Sequence, residues 1–241
     1  MLVTRLLKRY HPELHGTWQL QAARGWSHAA LAQPWTLLRD GPHSLLFRVG
    51  GPPGLIVKLI RPRSVPRDSL RKYVHSQARR EFRGGQLLSE IGLVTPTPRA
   101  WGVALSPLAR FESLLVMDEL AAFTSGLTII RRWQDTGLRG QFLNAFATQI
   151  ADLYGHGYIH KDCHFENICR LSDGRLAWID TDVRRTTRPS TQRRGLRKTL
   201  ALLRATARDD VRPGEWRLFT STLVHRLATH KIGKGLVHEI Q

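Results

Sequence analysis

The stretch GYIHKDCHFENICRLSDGRLAWIDTD, residues 157–182, concentrates side chains that do chemistry. His160, Asp162, Cys163, His164, Glu166 and Asn167 crowd one polar run, and Asp180 and Asp182 close the next apolar one. Around them the sequence reads as short strands. An apolar "YIH" precedes the polar run, and "ICRL" and "LAWI" follow it, joined by the turn signal "SDG". A hairpin that begins after Asn167 and ends before Asp180 brings the chain back on itself, so Asp162, Asn167 and Asp180 converge at one end of it. Three oxygen-bearing side chains there suit a hard cation such as Mg²⁺, commonly held by one or two carboxylates plus substrate phosphates. The remaining carboxylate can accept a hydroxyl proton. A zinc reading would use His156, His160, Cys163 and His164, but the chain has no C-x-x-C pair, and that reading leaves Asn167 and Asp180 idle.

Asn167 lies five positions after Asp162, and Asp180 eighteen. H-x-D followed by Asn and then Asp at these intervals resembles the protein-kinase-like superfamily. The resemblance implies that Asp162 orients or deprotonates an acceptor hydroxyl, that Asn167 and Asp180 hold Mg²⁺ on ATP phosphates, and that His160 shapes the loop. It also implies a phosphate-covering turn, a strand lysine and a helix glutamate upstream. "DGPHSL", residues 40–45, supplies a turn with Gly41 and Ser44, although no G-x-G-x-x-G is present. Lys58 stands inside the apolar "LIVKLI", where a lysine needs an anionic partner because a lone buried charge is costly. Glu81 is the expected partner and Glu90 the fallback. "LLVMDEL" then resembles the strand into a hinge, with Asp118, Glu119 and Leu120 offering backbone groups to adenine.

His164 occupies a position where protein kinases usually carry lysine and kinases of sugars and other small molecules often carry histidine. No A-P-E signature follows Asp180. "ARREFRGGQLLSEIGLVTPTPRAWG", "SLLVMDEL", "HKDCHFENI" and "AWIDTDVRR" together resemble the lipopolysaccharide kinase family, the Kdo/WaaP group, over roughly residues 35–200. Thr181 stands where an aromatic is commoner. The resemblance implies an ATP- and Mg²⁺-dependent kinase acting on a heptose or Kdo hydroxyl of the lipopolysaccharide core, peripheral at the cytoplasmic face of the bacterial inner membrane. It assigns acceptor contacts to His164, Arg184 and Arg185. The alternatives are a kinase of a soluble small molecule or a protein, and a basic nucleic-acid-binding module. No nucleic-acid signature supports the last.

The elements that must position these residues follow from patterning. The expected class is α+β, a protein-kinase-like two-lobed fold. Residues 1–120 form a small, mainly antiparallel β lobe with one helix, and residues 121–241 a compact helical lobe. "WTLLRD", "SLLFRVG" and "LIVKLI" read as a hairpin plus a third strand, and "ESLLVMDEL" as another. Leu70, Val74, Ala78, Phe82 and Leu88 predict one helix over 69–90; Leu138, Phe142, Ala145, Phe146, Ile150 and Leu153 predict another over about 138–156. Leu2, Val3, Leu6, Leu7 and Tyr10 line one helical face and predict an N-terminal helix, packed on the core or lying in a membrane interface. Apolar residues make up 41% of 241, enough to bury a core. No window is long and apolar enough to span a membrane, and residues 1–12 do not read as a signal peptide. Cys163 and Cys169 are expected as free thiols in a reducing compartment.

Charge selects among partners. Thirty-seven Lys and Arg against nineteen Asp and Glu give a formal +18, and Arg184–Lys198 holds seven basic residues and no acid. Such a field attracts polyanions. A phosphorylated glycolipid at an anionic membrane surface accounts for both the amount and the position of the charge.

Overall fold

A computed structural model of the chain describes residues 2–62, 71–120 and 122–240. Two compact units emerge, residues 1–86 with 96–121 and residues 87–95 with 122–241. The first is sheet-based and the second mostly helical, an α+β fold.

In the first unit β1 (Leu2–Leu6), β2 (Thr17–Ala22), β3 (Trp35–Asp40), β4 (Ser44–Val49), β5 (Leu55–Ile60), β6 (Pro98–Ala104) and β7 (Ser113–Asp118) make one antiparallel sheet. Its order is β1-β2-β6-β7-β5-β4-β3. β1 corrects the expected N-terminal helix, and with it the interfacial anchor. Leu2 pairs with Gln21 and Leu6 with Thr17, so the segment completes a ladder on β2. Its apolar spacing fits a helix, but partners more than ten residues away overrode that local preference.

Strand alternation decides which way each side chain of β5 faces. Val57 and Leu59 pack with Leu45, Phe47, Leu14 and Trp18 on one face. Ile56 and Ile60 pack with Ala78, Phe82, Trp101 and Leu115 on the other. Lys58, between Ile56 and Ile60, shares that second face.

Two helices, α1 (Arg71–His75) and α2 (Gln77–Glu90), replace the single helix expected over 69–90. The break falls at Ser76, whose hydroxyl accepts from the Arg79 N–H at 3.2 Å as a helix cap does. Beyond it Ala78, Phe82 and Leu88 are buried, whereas Val74 is exposed. Leu70 lies outside the described residues.

The second unit contains α3 (Gly126–Arg132), α4 (Thr136–Gly155), α5 (Pro189–Ala207) and α6 (Pro213–Thr229). Its short strands are β8 (Phe123–Ser125), β9 (Tyr158–His160), β10 (Ile168–Leu171), β11 (Leu176–Trp178) and β12 (Val183–Arg185). Asp135 caps α4, its carboxylate accepting from the N–H groups of Gly137 (2.8 Å) and Leu138 (3.0 Å). Phe142, Phe146, Ile150 and Leu153 of α4 are buried with Phe219 and Leu223 of α6 and with Phe165 and Trp178. This core is the bed on which the residue 161–167 loop rests. Arg139 of α4 is buried and forms a two-bond ion pair with Glu215 of α6, both contacts at 2.7 Å. The basic run 184–198 is ordered: β12 takes its start, and α5 begins at Pro189.

Candidate active site

The loop after β9 is stapled to the strand that carries Asp180. Buried His160 packs on Trp178 with ring centroids 4.9 Å apart. Its Nε2–H donates to the Asp180 carbonyl at 2.7 Å, and its Nδ1 accepts the Asp162 N–H at 3.2 Å. Only the neutral Nε2–H tautomer satisfies both. Burial agrees, holding the imidazole pKa below its ordinary value against the opposing pull of Asp180. Lys161 adds a backbone bond to the Asp182 carbonyl at 3.1 Å and an ion pair with the Asp182 carboxylate at 2.8 Å. At the far end of the loop the Ile179 N–H donates to the Asn167 carbonyl at 3.0 Å. Asp162, Asn167 and Asp180 therefore belong to one locally braced cluster.

The donor set in that cluster fits a hard cation. Asn167 Nδ2 donates to the Asp162 carbonyl at 2.9 Å and lies 3.0 Å from His164 Nε2, while His164 Nδ1 accepts the Glu166 N–H at 3.2 Å, which folds the loop on itself. Asp180 Oδ1 accepts from the Asp182 N–H at 3.1 Å, which fixes the carboxylate's orientation. His164 also sits 3.4 Å from Asp162 Oδ2, between the carboxylate and the asparagine. Asp162 itself is 57% exposed, open to an incoming hydroxyl. Among the described residues no three His, Cys, Asp or Glu side chains come together as a metal cluster, and the zinc reading finds no site. Cys163 and Cys169 are buried free thiols whose pKa values burial pushes up, to about 11 for Cys169.

In the first unit Lys58 and Glu81 meet. Lys58 Nζ donates to both carboxylate oxygens, at 2.8 and 2.7 Å, and Gln77 Nε2 adds a third bond at 2.7 Å. Glu81 is only 2% exposed. The turn between β3 and β4 is closed by the Gly41 N–H donating to the Ser44 carbonyl at 3.0 Å, so that amide is engaged within the turn. Arg61 pairs with Asp40 at 2.9 Å and contacts the Gly41 carbonyl at 3.4 Å. At the end of β7 the Asp118 N–H donates to Thr97 and the Glu119 N–H to Gly54. Both amides are therefore engaged within the first unit.

Sequence reasoning missed the side chains that hold these parts. Arg48 clamps Glu119 with Nε–Oε distances of 2.8 and 3.0 Å, and Arg99 clamps Asp118 at 2.7 and 2.6 Å. The Arg48 guanidinium holds the Glu119 carboxyl below its ordinary range. Thr95, in the "TPTP" run, donates its hydroxyl to the Trp178 carbonyl at 3.0 Å, while Val94 accepts the Trp178 N–H at 2.9 Å. That run braces β11 just before Asp180. A lone arginine in the otherwise uncharged β4 was a usable signal for Arg48; nothing local pointed to Thr95. Arg184 and Arg185 are exposed on β12, opposite Ile159 and Tyr158 of β9.

The sequence matches the lipopolysaccharide kinase (Kdo/WaaP) family over residues 63–222. It is 31% identical over 143 residues to the lipopolysaccharide core heptose(I) kinase WaaP of Pseudomonas aeruginosa, a match covering 55% of this chain and 53% of that protein. The matched stretch thus spans about half the length of that relative. The fold is similar to that of WaaP solved in complex with acyl carrier protein, at a TM-score of 0.63 and 22% identity over 91% of this chain and 95% of that one. With about two thirds of its length matched by the family model, the chain belongs to the lipopolysaccharide kinase (Kdo/WaaP) family.

Proposed function

We propose that the protein transfers the terminal phosphate of ATP to a heptose or Kdo hydroxyl of the bacterial lipopolysaccharide inner core. The observation that carries this reading is the bracing of the Asp162 loop onto the Asp180 strand, in a chain of this family. Asp162 accepts the proton of the sugar hydroxyl as its oxygen attacks phosphorus. The Asn167 side-chain amide and the Asp180 carboxylate would hold Mg²⁺, which would supply charge neutralisation for the transferring phosphate. Lys58, oriented by Glu81, contacts the nucleotide phosphates, with Ser44 and the Gly41 turn covering them. The carbonyls of Asp118 and Glu119, and Leu120, serve adenine.

His164 keeps Asp162 and Asn167 in register near the acceptor, and Arg184 and Arg185 supply cationic forks for its anionic groups. The acceptor is lipid-linked core, met at the cytoplasmic face of the inner membrane. No helix among the described residues is long and apolar enough to cross a membrane. Because the WaaP relative was solved with an acyl carrier protein, the same kind of partner is proposed here.

ADP release tests the proposal. Core oligosaccharide should stimulate magnesium-dependent ADP formation by the wild type but not by Asp162→Ala. Stimulation that survives Asp162→Ala would remove the assigned base.

A further inference from the structure

A cavity of about 290 Å³ lies within the second unit, lined by parts of β9, the loop after it, β12 and α5. Lys161, Arg184, Arg194 and Lys198 line it, and no acidic residue does. Asp162, Asn167 and His164 are not among its walls, but Lys161 and Cys163, the two neighbours of Asp162, are.

We infer that this cavity binds a phosphate monoester carried by a sugar, and that its occupant is a phosphate group already present on the acceptor. The first argument is charge. Arg194 and Lys198 are four residues apart on α5, so like charges stack on one helix face, an arrangement that destabilises a helix unless an anion sits against it. Arg184, Arg194 and Lys198 make no ion pair among the described residues, whereas Lys161 is already matched by Asp182. The cavity therefore presents three cations without a carboxylate.

The second argument is construction. Gly195 lets α5 close on β9: a Cβ there would lie 2.9 Å from Ile159 Cδ1 and 3.0 Å from its Cγ2. This close approach brings Arg194 and Lys198 against the catalytic loop. Arg184, opposite Ile159 in the β9–β12 ladder, completes the cationic wall. Lys198 also reaches the Lys161 carbonyl at 3.4 Å. Arg184, Arg194 and Lys198 are solvent-exposed yet line one concavity together with the apolar Ile159 and Leu202. The volume is at the lower end of small-molecule sites, roughly 300–1,000 Å³, and suits one sugar phosphate. Binding there would steady the residues on both sides of Asp162, so a core that already carries one phosphate would be the better acceptor.

Assigning the phosphate to the acceptor rests on the kinase reading above; binding itself does not. The test uses the full chain with inorganic phosphate and glucose 1-phosphate, followed by calorimetry or ³¹P NMR at fixed ionic strength, with glucose as control. Arg194 and Lys198 are exposed, so R194Q/K198Q should fold. It should lose phosphate affinity at least tenfold, while R204Q/R217Q, with the same charge change outside the cavity, should not. The acceptor KM should rise in R194Q/K198Q, with the ATP KM and basal ATP hydrolysis unchanged. Equal losses in both double variants, or no phosphate binding by the wild type, would overturn the site. Lost phosphate binding with an unmoved acceptor KM and weaker sedimentation with phosphatidylglycerol vesicles would overturn the acceptor assignment in favour of a lipid headgroup. Absence of magnesium-dependent ATP hydrolysis in the wild type would instead count against the kinase reading, whatever phosphate does.

Discussion

Asp162 and Asp180 are both carboxylates at the same end of one hairpin, yet their surroundings separate their roles. Asp162 is open, with its backbone held by His160, while Asp180 is oriented by the Asp182 amide. Asp180→Ala and Asn167→Ala should therefore weaken Mg·ATP binding, whereas Asp162→Ala should retain it and lose transfer. Fluorescent-nucleotide titration beside a transfer assay checks this, and equal binding losses in all three would merge the roles. Lys58 and Glu81 make a second test: each single alanine change strands a poorly hydrated charge, so the double change should cost less than the sum by about 0.5–3 kcal/mol. Additive losses in a stability or activity cycle would mean the pair is not coupled. The Lys58–Glu81 pair was legible in sequence because a lysine inside an apolar strand demands an acidic partner and Glu81 was the expected one. Arg48, Arg99 and Thr95 were not, since no motif ties them to their partners 71, 19 and 83 residues away.

Helices and strands were read as far as their periodicity was local. α4 follows from a buried stripe and a capping aspartate, and the β10–β11 hairpin from "SDG". β1 failed because Leu2–Leu6 takes its conformation from β2. The 69–90 helix failed at one residue, where Ser76 competes as a cap. Gly195 makes an element-scale prediction: Gly195→Ala overlaps Ile159 and should cost about 1–3 kcal/mol by overpacking, read from the denaturation midpoint. An unchanged midpoint would show that α5 can move off β9.

The ion pair between α4 and α6 adds a pH dependence. Arg139 lowers the Glu215 carboxyl pKa below its unfolded value. A group shifted that way contributes stability above the unfolded pKa and loses it as pH falls through the folded one. Wild-type melting temperature should thus fall more steeply below about pH 5 than that of Glu215→Gln, which should be less stable at pH 7. Parallel curves would mean that the pair contributes nothing through titration.

At the scale of the whole molecule the +18 charge governs encounter with partners more than fold. Sedimentation with phosphatidylglycerol vesicles should be strong at low salt and fall as ionic strength shortens the screening length to about 8 Å. Salt-independent binding would point to an apolar attachment instead. The central claim is phosphate transfer to a core sugar, and mass spectrometry of the acceptor tests it most directly. Purified protein with Mg·ATP should add one phosphate to inner-core oligosaccharide lacking it, and none to an aminoglycoside or a generic protein. Transfer to either of those with none to the core would contradict the account.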